Sequence, residues 1–225
     1  MSSHQLLDYQ PPPDQGLDLI WADDHVIVVN KPSGLLSVPG RGEAYADCMA
    51  SRVQQRFEDA LVVHRLDMDT SGLLLFGRGK DMQRVFSELF LHRQVSKRYV
   101  ALLHGLLQPD EGLIDLPLIA DWPNRPRQKV DHEVGKPSQT RFRVISRDEL
   151  AQQTRVALEP LTGRSHQLRV HSLALGHPIV GDPLYGPQPI SQADKVARLC
   201  LHAEMLSMPH PVTGELLHCE SPCPF

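Results

Sequence analysis

Asp67 is the residue of this sequence best placed to do chemistry. It sits in His64-Arg65-Leu66-Asp67-Met68-Asp69-Thr70-Ser71-Gly72, directly ahead of the apolar run Leu73-Leu74-Leu75-Phe76. A carboxylate with an ordinary pKa of about 3.9 is ionised at neutral pH. Shielded and aimed, it can attack an electrophilic carbon or remove a proton. The same residue types also make a good turn, so the segment by itself leaves a capping aspartate open. A second run, Leu161-Thr162-Gly163-Arg164-Ser165-His166-Gln167-Leu168-Arg169-Val170-His171, places Arg164 on a Thr-Gly turn that leads into a helix start. A guanidinium there can engage a carboxylate through two parallel hydrogen bonds, and a helix N-terminus favours anions. Arg169 and His171 read as phosphate contacts or as helix-surface residues.

Three further positions combine aromatic or cationic character with a useful location. Tyr99 lies in Lys97-Arg98-Tyr99-Val100-Ala101, where alternation puts it on one strand face with Ala101. Such a tyrosine is commonly a core residue with its hydroxyl at the edge. Arg65 precedes Leu66-Asp67 and reads either as a surface arginine or as a plane that can stack and bind phosphate. The loop Asp121-Trp122-Pro123-Asn124-Arg125-Pro126-Arg127-Gln128-Lys129 mixes an indole with cations, the combination a single-stranded nucleic-acid contact needs.

The elements that must position these residues can be read coarsely. Ile27 to Val29 is a short buried strand, and Asn30-Lys31-Pro32-Ser33-Gly34 is a loop by its turn chemistry. A helix is predicted over 46–56 and a strand over 73–76. Met82, Val85, Phe86, Leu89 and Phe90 repeat as one helical stripe within 81–93. Strands are predicted over 97–103, 140–145 and 154–161, and a helix from near Ser165 to before Gly176. Residues 117–137, with four prolines and no apolar periodicity, read as a long loop. Strands and helices without regular alternation predict an α+β fold, a mixed and largely antiparallel sheet flanked by helices and loops. The expected organisation is a flexible N-terminal arm over 1–18, containing Pro11-Pro12-Pro13, and one domain over 19–225.

Composition narrows the function class. The chain has 225 residues, enough for a sizeable core, with 41% hydrophobic and 22% charged residues. No apolar run approaches the roughly 18 residues of a membrane span, and the polar N-terminus reads as neither a secretory signal nor a transit peptide. Cys48, Cys200, Cys219 and Cys223 are too few and scattered for a disulfide framework, which predicts a reduced, cytoplasmic protein. The net charge of −4 conceals two basic stretches, Arg78 to Arg98 and Arg125 to Arg143. A local basic face can bind phosphates whatever the total charge, although such runs are often only solvated surface. His218-Cys219-x-x-x-Cys223 is not a zinc spacing. Phosphate-binding and dinucleotide-binding glycine loops are absent, so neither metal nor cofactor is expected.

The run HRLDxxTSG, the RxHQ segment and the KxYxA segment together resemble the signatures of the RluA family of pseudouridine synthases, in the family's order and over nearly the whole chain from about Ala22. Asn30 to Gly40 resembles that family's N-terminal motif, for which a structural role is expected, with Lys31 as a support near the site. The resemblance implies Asp67 as the catalytic carboxylate, Arg164 as its partner, and Tyr99 as the ring that stacks on the target uracil. It implies Leu168 on the other face of the base and Arg65 at the gap left by an extruded uridine. Structured RNA is the implied substrate, namely stem-loops of 23S rRNA and anticodon arms of tRNA, with no membrane or DNA partner and a monomeric enzyme. Two other readings stand beside it: a non-catalytic RNA-binding protein on the same basic face, and a glycosidase or nucleosidase with Asp69 as second carboxylate.

Overall fold

The computed structural model describes residues 9–187 and 198–225. In chain order the elements are β1 (Leu19–Ala22), β2 (Val26–Lys31), α1 (Met49–Gln54), β3 (Ala60–Val62), β4 (Ser71–Arg78), α2 (Gly79–Leu91), β5 (Ser96–His104), β6 (Glu111–Asp115), β7 (Leu118–Ala120), β8 (Gln128–Val130), β9 (Gln139–Asp148), β10 (Gln153–Pro160), α3 (Gln167–Ala174), β11 (Leu201–Pro209) and β12 (Leu216–Glu220). Among the described residues, ten strands form one sheet along the path β1-β2-β4-β11-β5-β10-β9-β6, with β3 on β4 and β12 on β11. Every pairing is antiparallel except β4 with β11, which run parallel over only His202–Ser71 and Ala203–Gly72. The expected mixed, largely antiparallel α+β sheet is therefore present, and the one parallel joint is where its two halves meet.

The continuous apolar runs have a simple cause. Strands β2 and β4 are covered on both faces, so alternate residues feed two cores. Ile27, Val29, Leu74 and Phe76 pack with α1 residues Met49 and Val53. Val26, Val28, Leu73 and Leu75 pack on the other face with Phe86 of α2 and Leu206 of β11. In the other half, Ala101, Leu103, Val156 and Leu158 pack with Leu168 of α3. Tyr99 touches the first and third of these cores and so stands at the seam between the halves.

Several expectations change. Residues 117–137 are not all loop: β7 and β8 pair as a two-stranded ribbon, Leu118 with Val130 and Ala120 with Gln128. Pro123 and Pro126 fall in the turn between them, and three-residue strands are too short to show alternation. Helix α1 is shorter than 46–56 because its cap lies at Cys48. There the Ser51 N–H reaches Sγ at 3.3 Å and the Cys48 N–H donates to Ser51 Oγ at 3.0 Å. Residues 9–18, read from composition as part of a mobile arm, lie against the body. The Tyr9 hydroxyl donates to the Asp47 carbonyl at 2.9 Å, Arg52 donates to the Pro12 carbonyl at 2.6 Å, and Tyr9 stacks on Tyr45. The rest of that arm, 1–8, lies outside the described residues. On β12, His218 is exposed and paired with Glu220, whereas Cys219 points into the core. Alternation thus sends the two in opposite directions.

Candidate active site

The Asp67 loop joins β3 to β4 at the mouth of the parallel joint, and the Asn30–Ser37 segment holds it from below. Lys31, fully buried, donates Nζ to the carbonyls of Pro32, Leu35 and Met68 at 2.8, 2.7 and 2.9 Å. Gly34 N–H donates to the Met68 carbonyl and Ser33 Oγ to the Asp69 carbonyl. Ser37 Oγ donates to the Leu66 carbonyl at 2.7 Å and accepts the Leu66 N–H at 3.1 Å. Leu66 is buried, so the loop is pinned on either side of Asp67. Burial pushes Lys31 down to about 7, against the pull of Asp69 and Asp67. The support role expected for Lys31 agrees with these contacts.

At the other end of the loop, Gly72 adopts φ +112°, and a Cβ there would lie 2.3 Å from the Ala203 carbonyl oxygen. Only glycine admits the close approach of β4 to β11. Ser71 beside it donates or accepts at 2.7 Å with His202 Nδ1 and is reached by Arg198. His202 Nε2 in turn lies 3.0 Å from the Ser221 carbonyl.

The guanidinium that reaches Asp67 is that of Arg169, not Arg164. Arg169 Nη1 lies 3.6 Å from Asp67 Oδ2, and the two side chains are 2% and 29% exposed. Arg169 is aimed from behind by Asp182, whose oxygens accept from its Nε at 2.8 Å and Nη2 at 2.7 Å. Asp182 is itself completely buried. Burial alone would push the Arg169 guanidinium down, but Asp182, then Asp67 and Asp69, hold it above its ordinary range. Arg164 is exposed on the turn before α3, with Nε 3.5 Å from the Pro137 carbonyl. The difference is where the helix begins. Arg164 precedes the helix, whereas Arg169 lies in the run Gln167 to Ser172, every residue of which is buried.

The remaining expected residues are distributed as follows. Tyr99 is partly buried, and burial, with Asp67 adding to it, raises its phenol so that it stays neutral. Leu168 is only 7% exposed and belongs mainly to the core. Arg65 is exposed. Trp122 is 66% exposed at the ribbon tip, with the Arg125 guanidinium 3.3 Å from its ring centroid. His171 is fully buried rather than at the surface, with Nδ1 2.9 Å from Thr140 Oγ1 and Nε2 3.1 Å from the Leu116 carbonyl.

Three residues near the site were not identified by sequence reasoning, Asp182, Tyr185 and His166, while Asp69 was weighed only as the second carboxylate of a hydrolase. Gly181-Asp182-Pro183-Leu184-Tyr185-Gly186 reads only as a turn, and Asp182 does make one, accepting the N–H groups of Leu184 and Tyr185. Burial pushes the Asp69 carboxyl up, opposed by Arg169 and Lys31.

A partly open carboxylate on a rigid loop, a buried cation beside it and a neutral phenol at the seam can hold a flat, neutral base next to a nucleophile. Comparison with known proteins bears on which base. The RNA pseudouridylate synthase family model matches residues 25–174. The chain belongs to that family. It is 50% identical to the dual-specificity RNA pseudouridine synthase RluA of Salmonella typhi, over 97% of this chain and 98% of that protein. The same identity relates it to RluA of Escherichia coli K12, again over 97% and 98%. Among solved structures, human RNA pseudouridylate synthase domain containing 1 superposes with a TM-score of 0.79 at 31% identity, over 96% of this chain and 87% of that one. This pseudouridylate synthase is thus an RNA-modifying isomerase built as a single catalytic domain. That result sets aside the readings as a non-catalytic binder and as a hydrolase. Among the described residues, no helix is long and apolar enough to cross a membrane.

Proposed function

We propose that this enzyme converts uridine to pseudouridine in stem-loops of 23S rRNA and in tRNA anticodon arms, as a cytoplasmic monomer, with Asp67 as the catalytic carboxylate. The dual specificity in the names of its 50%-identical relatives supports the choice of substrates. The observation that carries the catalytic reading is Asp67 itself, a partly exposed carboxylate on a pinned loop with a buried guanidinium 3.6 Å away.

The reaction is redox-neutral. The C1′–N1 bond breaks, the detached uracil turns, C5 bonds to C1′, the C5 proton leaves and N1 gains one. Attack on C1′ and removal of the C2′ proton both use the same ionised Asp67. A base lifted from its stack needs an aromatic platform, which Tyr99 provides at the seam, with Leu168 on the other face of the base. Arg65, exposed next to the loop, fills the space the uridine vacates. Arg164 and the Trp122–Arg125 pair hold the surrounding strand through phosphate contact and stacking.

Release of tritium from RNA labelled at uracil C5 tests this directly, because bonding C5 to C1′ expels that hydrogen. Wild type should release tritium from both an rRNA and an anticodon stem-loop, and Asp67→Ala should bind both but release none. Release retained by Asp67→Ala would overturn the catalytic assignment. Release from one RNA only would overturn the dual specificity.

A further inference from the structure

We infer that His166 is a further catalytic residue, whose ring Nε2–H hydrogen-bonds a carbonyl oxygen of the uracil as it detaches from the ribose. This rests on the reading of Asp67 as the reacting carboxylate. His166 stands immediately before α3, three residues from Arg169, with its backbone left-handed at φ 54° and ψ 18°. A non-glycine residue held in that region is a local strain that the surrounding structure must impose, and such residues concentrate at working sites.

The hydrogen bonds around His166 bear on which nitrogen carries its proton. Its Nδ1 lies 2.8 Å from the Tyr185 hydroxyl. That hydroxyl already accepts the Gln128 N–H at 2.7 Å. The phenol has one proton of its own, and among the described residues Nδ1 is the acceptor within its reach. With the phenol's proton given to that acceptor, the neutral imidazole carries its hydrogen on Nε2, and this tautomer is part of the inference. No partner for Nε2 occurs among the described residues, and His166 is half-buried. The charges acting on it are Asp67, Arg169, Asp182 and Asp69, the groups of the active site, while burial keeps it neutral.

A neutral N–H at that position matches the reaction. Breaking C1′–N1 leaves the bonding electron pair on uracil, spread over its two carbonyl oxygens. A fixed donor that does not titrate stabilises this developing anion without transferring a proton, and the electron pair then returns through C5 to C1′. Gln128 lies on β8, so the ribbon that carries Trp122 and Arg125 also anchors the tyrosine that orients His166.

The test combines the ring's ¹⁵N spectrum with single-turnover tritium release at saturating stem-loop RNA. Wild type should show the Nε2–H tautomer, and Tyr185→Phe should show a mixture. His166→Asn, a side chain that tolerates left-handed backbone, should lose about 10²-fold in rate while Kd for RNA changes by no more than about twofold. If that variant does not fold, Tyr185→Phe carries the test with a loss of roughly tenfold in rate. An Nδ1–H tautomer in wild type, or rates within about threefold of wild type in a folded variant, would overturn the inference. Turnover by Asp67→Ala would remove the underlying site, and is recognised separately because the tautomer spectrum would stand unchanged.

Discussion

Two arginines five residues apart, one on the turn before α3 and one inside it, have unequal consequences. Arg169 bridges Asp67 and Asp182 with a planar fork, and an ammonium on a flexible stem cannot span both. Arg169→Lys should slow single turnover by about 10²-fold or more with RNA affinity retained, whereas Arg164→Lys should stay within a few-fold of wild type. Equal effects of the two would place Arg164 at the carboxylate after all. The motif in the sequence displays both arginines, and only the point at which α3 begins distinguishes the buried one. By residue type Asp67 stood out with a capping role still open and Tyr99 read as core; the site roles proposed for both come from the family resemblance. Asp182 was not legible, because an aspartate between Gly181 and Pro183 is explained completely by its turn. His64 gives a pH-dependent expectation. Its Nε2 accepts the Leu75 N–H at 3.1 Å, its ring stacks on Phe90 at 4.7 Å, and burial pushes it down to about 3. Between an ordinary pKa of 6.5 and about 3, the unfolded chain holds a proton on this residue that the folded chain refuses. Stability is therefore lost as pH falls through that window, by up to about 1.4 kcal/mol per pH unit from this residue. His64→Gln, which keeps an acceptor for Leu75, should give a shallower acid limb in urea titrations.

At the scale of elements, the position of the site is set by how β4 meets β11. The long apolar run from Leu73 to Phe76 announces a strand, and its two-sided burial explains why alternation is missing there. The joint itself was not legible. Its partner strand lies about 130 residues away, and the one local signal is Gly72, which also reads as an ordinary turn glycine. Gly72→Ala should destabilise the fold by about 3 kcal/mol or more, since a Cβ meets backbone rather than a yielding side chain. Equilibrium unfolding checks this, and a change below about 1 kcal/mol would mean the joint can open to admit a methyl group. The ribbon β7–β8 was missed for a different reason. Its prolines, correctly read as turn formers, occupy the tip, and the paired segments on each side are too short to carry a pattern.

For the molecule as a whole, charge is arranged rather than abundant. A chain with net charge −4 exposes Arg65, Arg125 and Arg164 on segments next to Asp67 or on the ribbon, while Arg169 and Lys31 are buried beneath. Arg125→Ala should weaken RNA binding with a salt dependence reduced by about one counterion, and Trp122→Ala should weaken it by roughly 1–3 kcal/mol with the salt slope unchanged. Neither should alter the single-turnover rate at saturating RNA, and a lowered rate would mean that the ribbon acts on chemistry as well as on grip. The one parallel joint has a further consequence, for biosynthesis. Until Leu201–Pro209 has left the ribosome, β4 and β5 each lack a neighbour, and the seam that aligns Tyr99 with Asp67 does not exist. On the proposed site the nascent chain lacks its Tyr99 platform until then, and for that interval it carries two open strand edges that invite pairing with other chains.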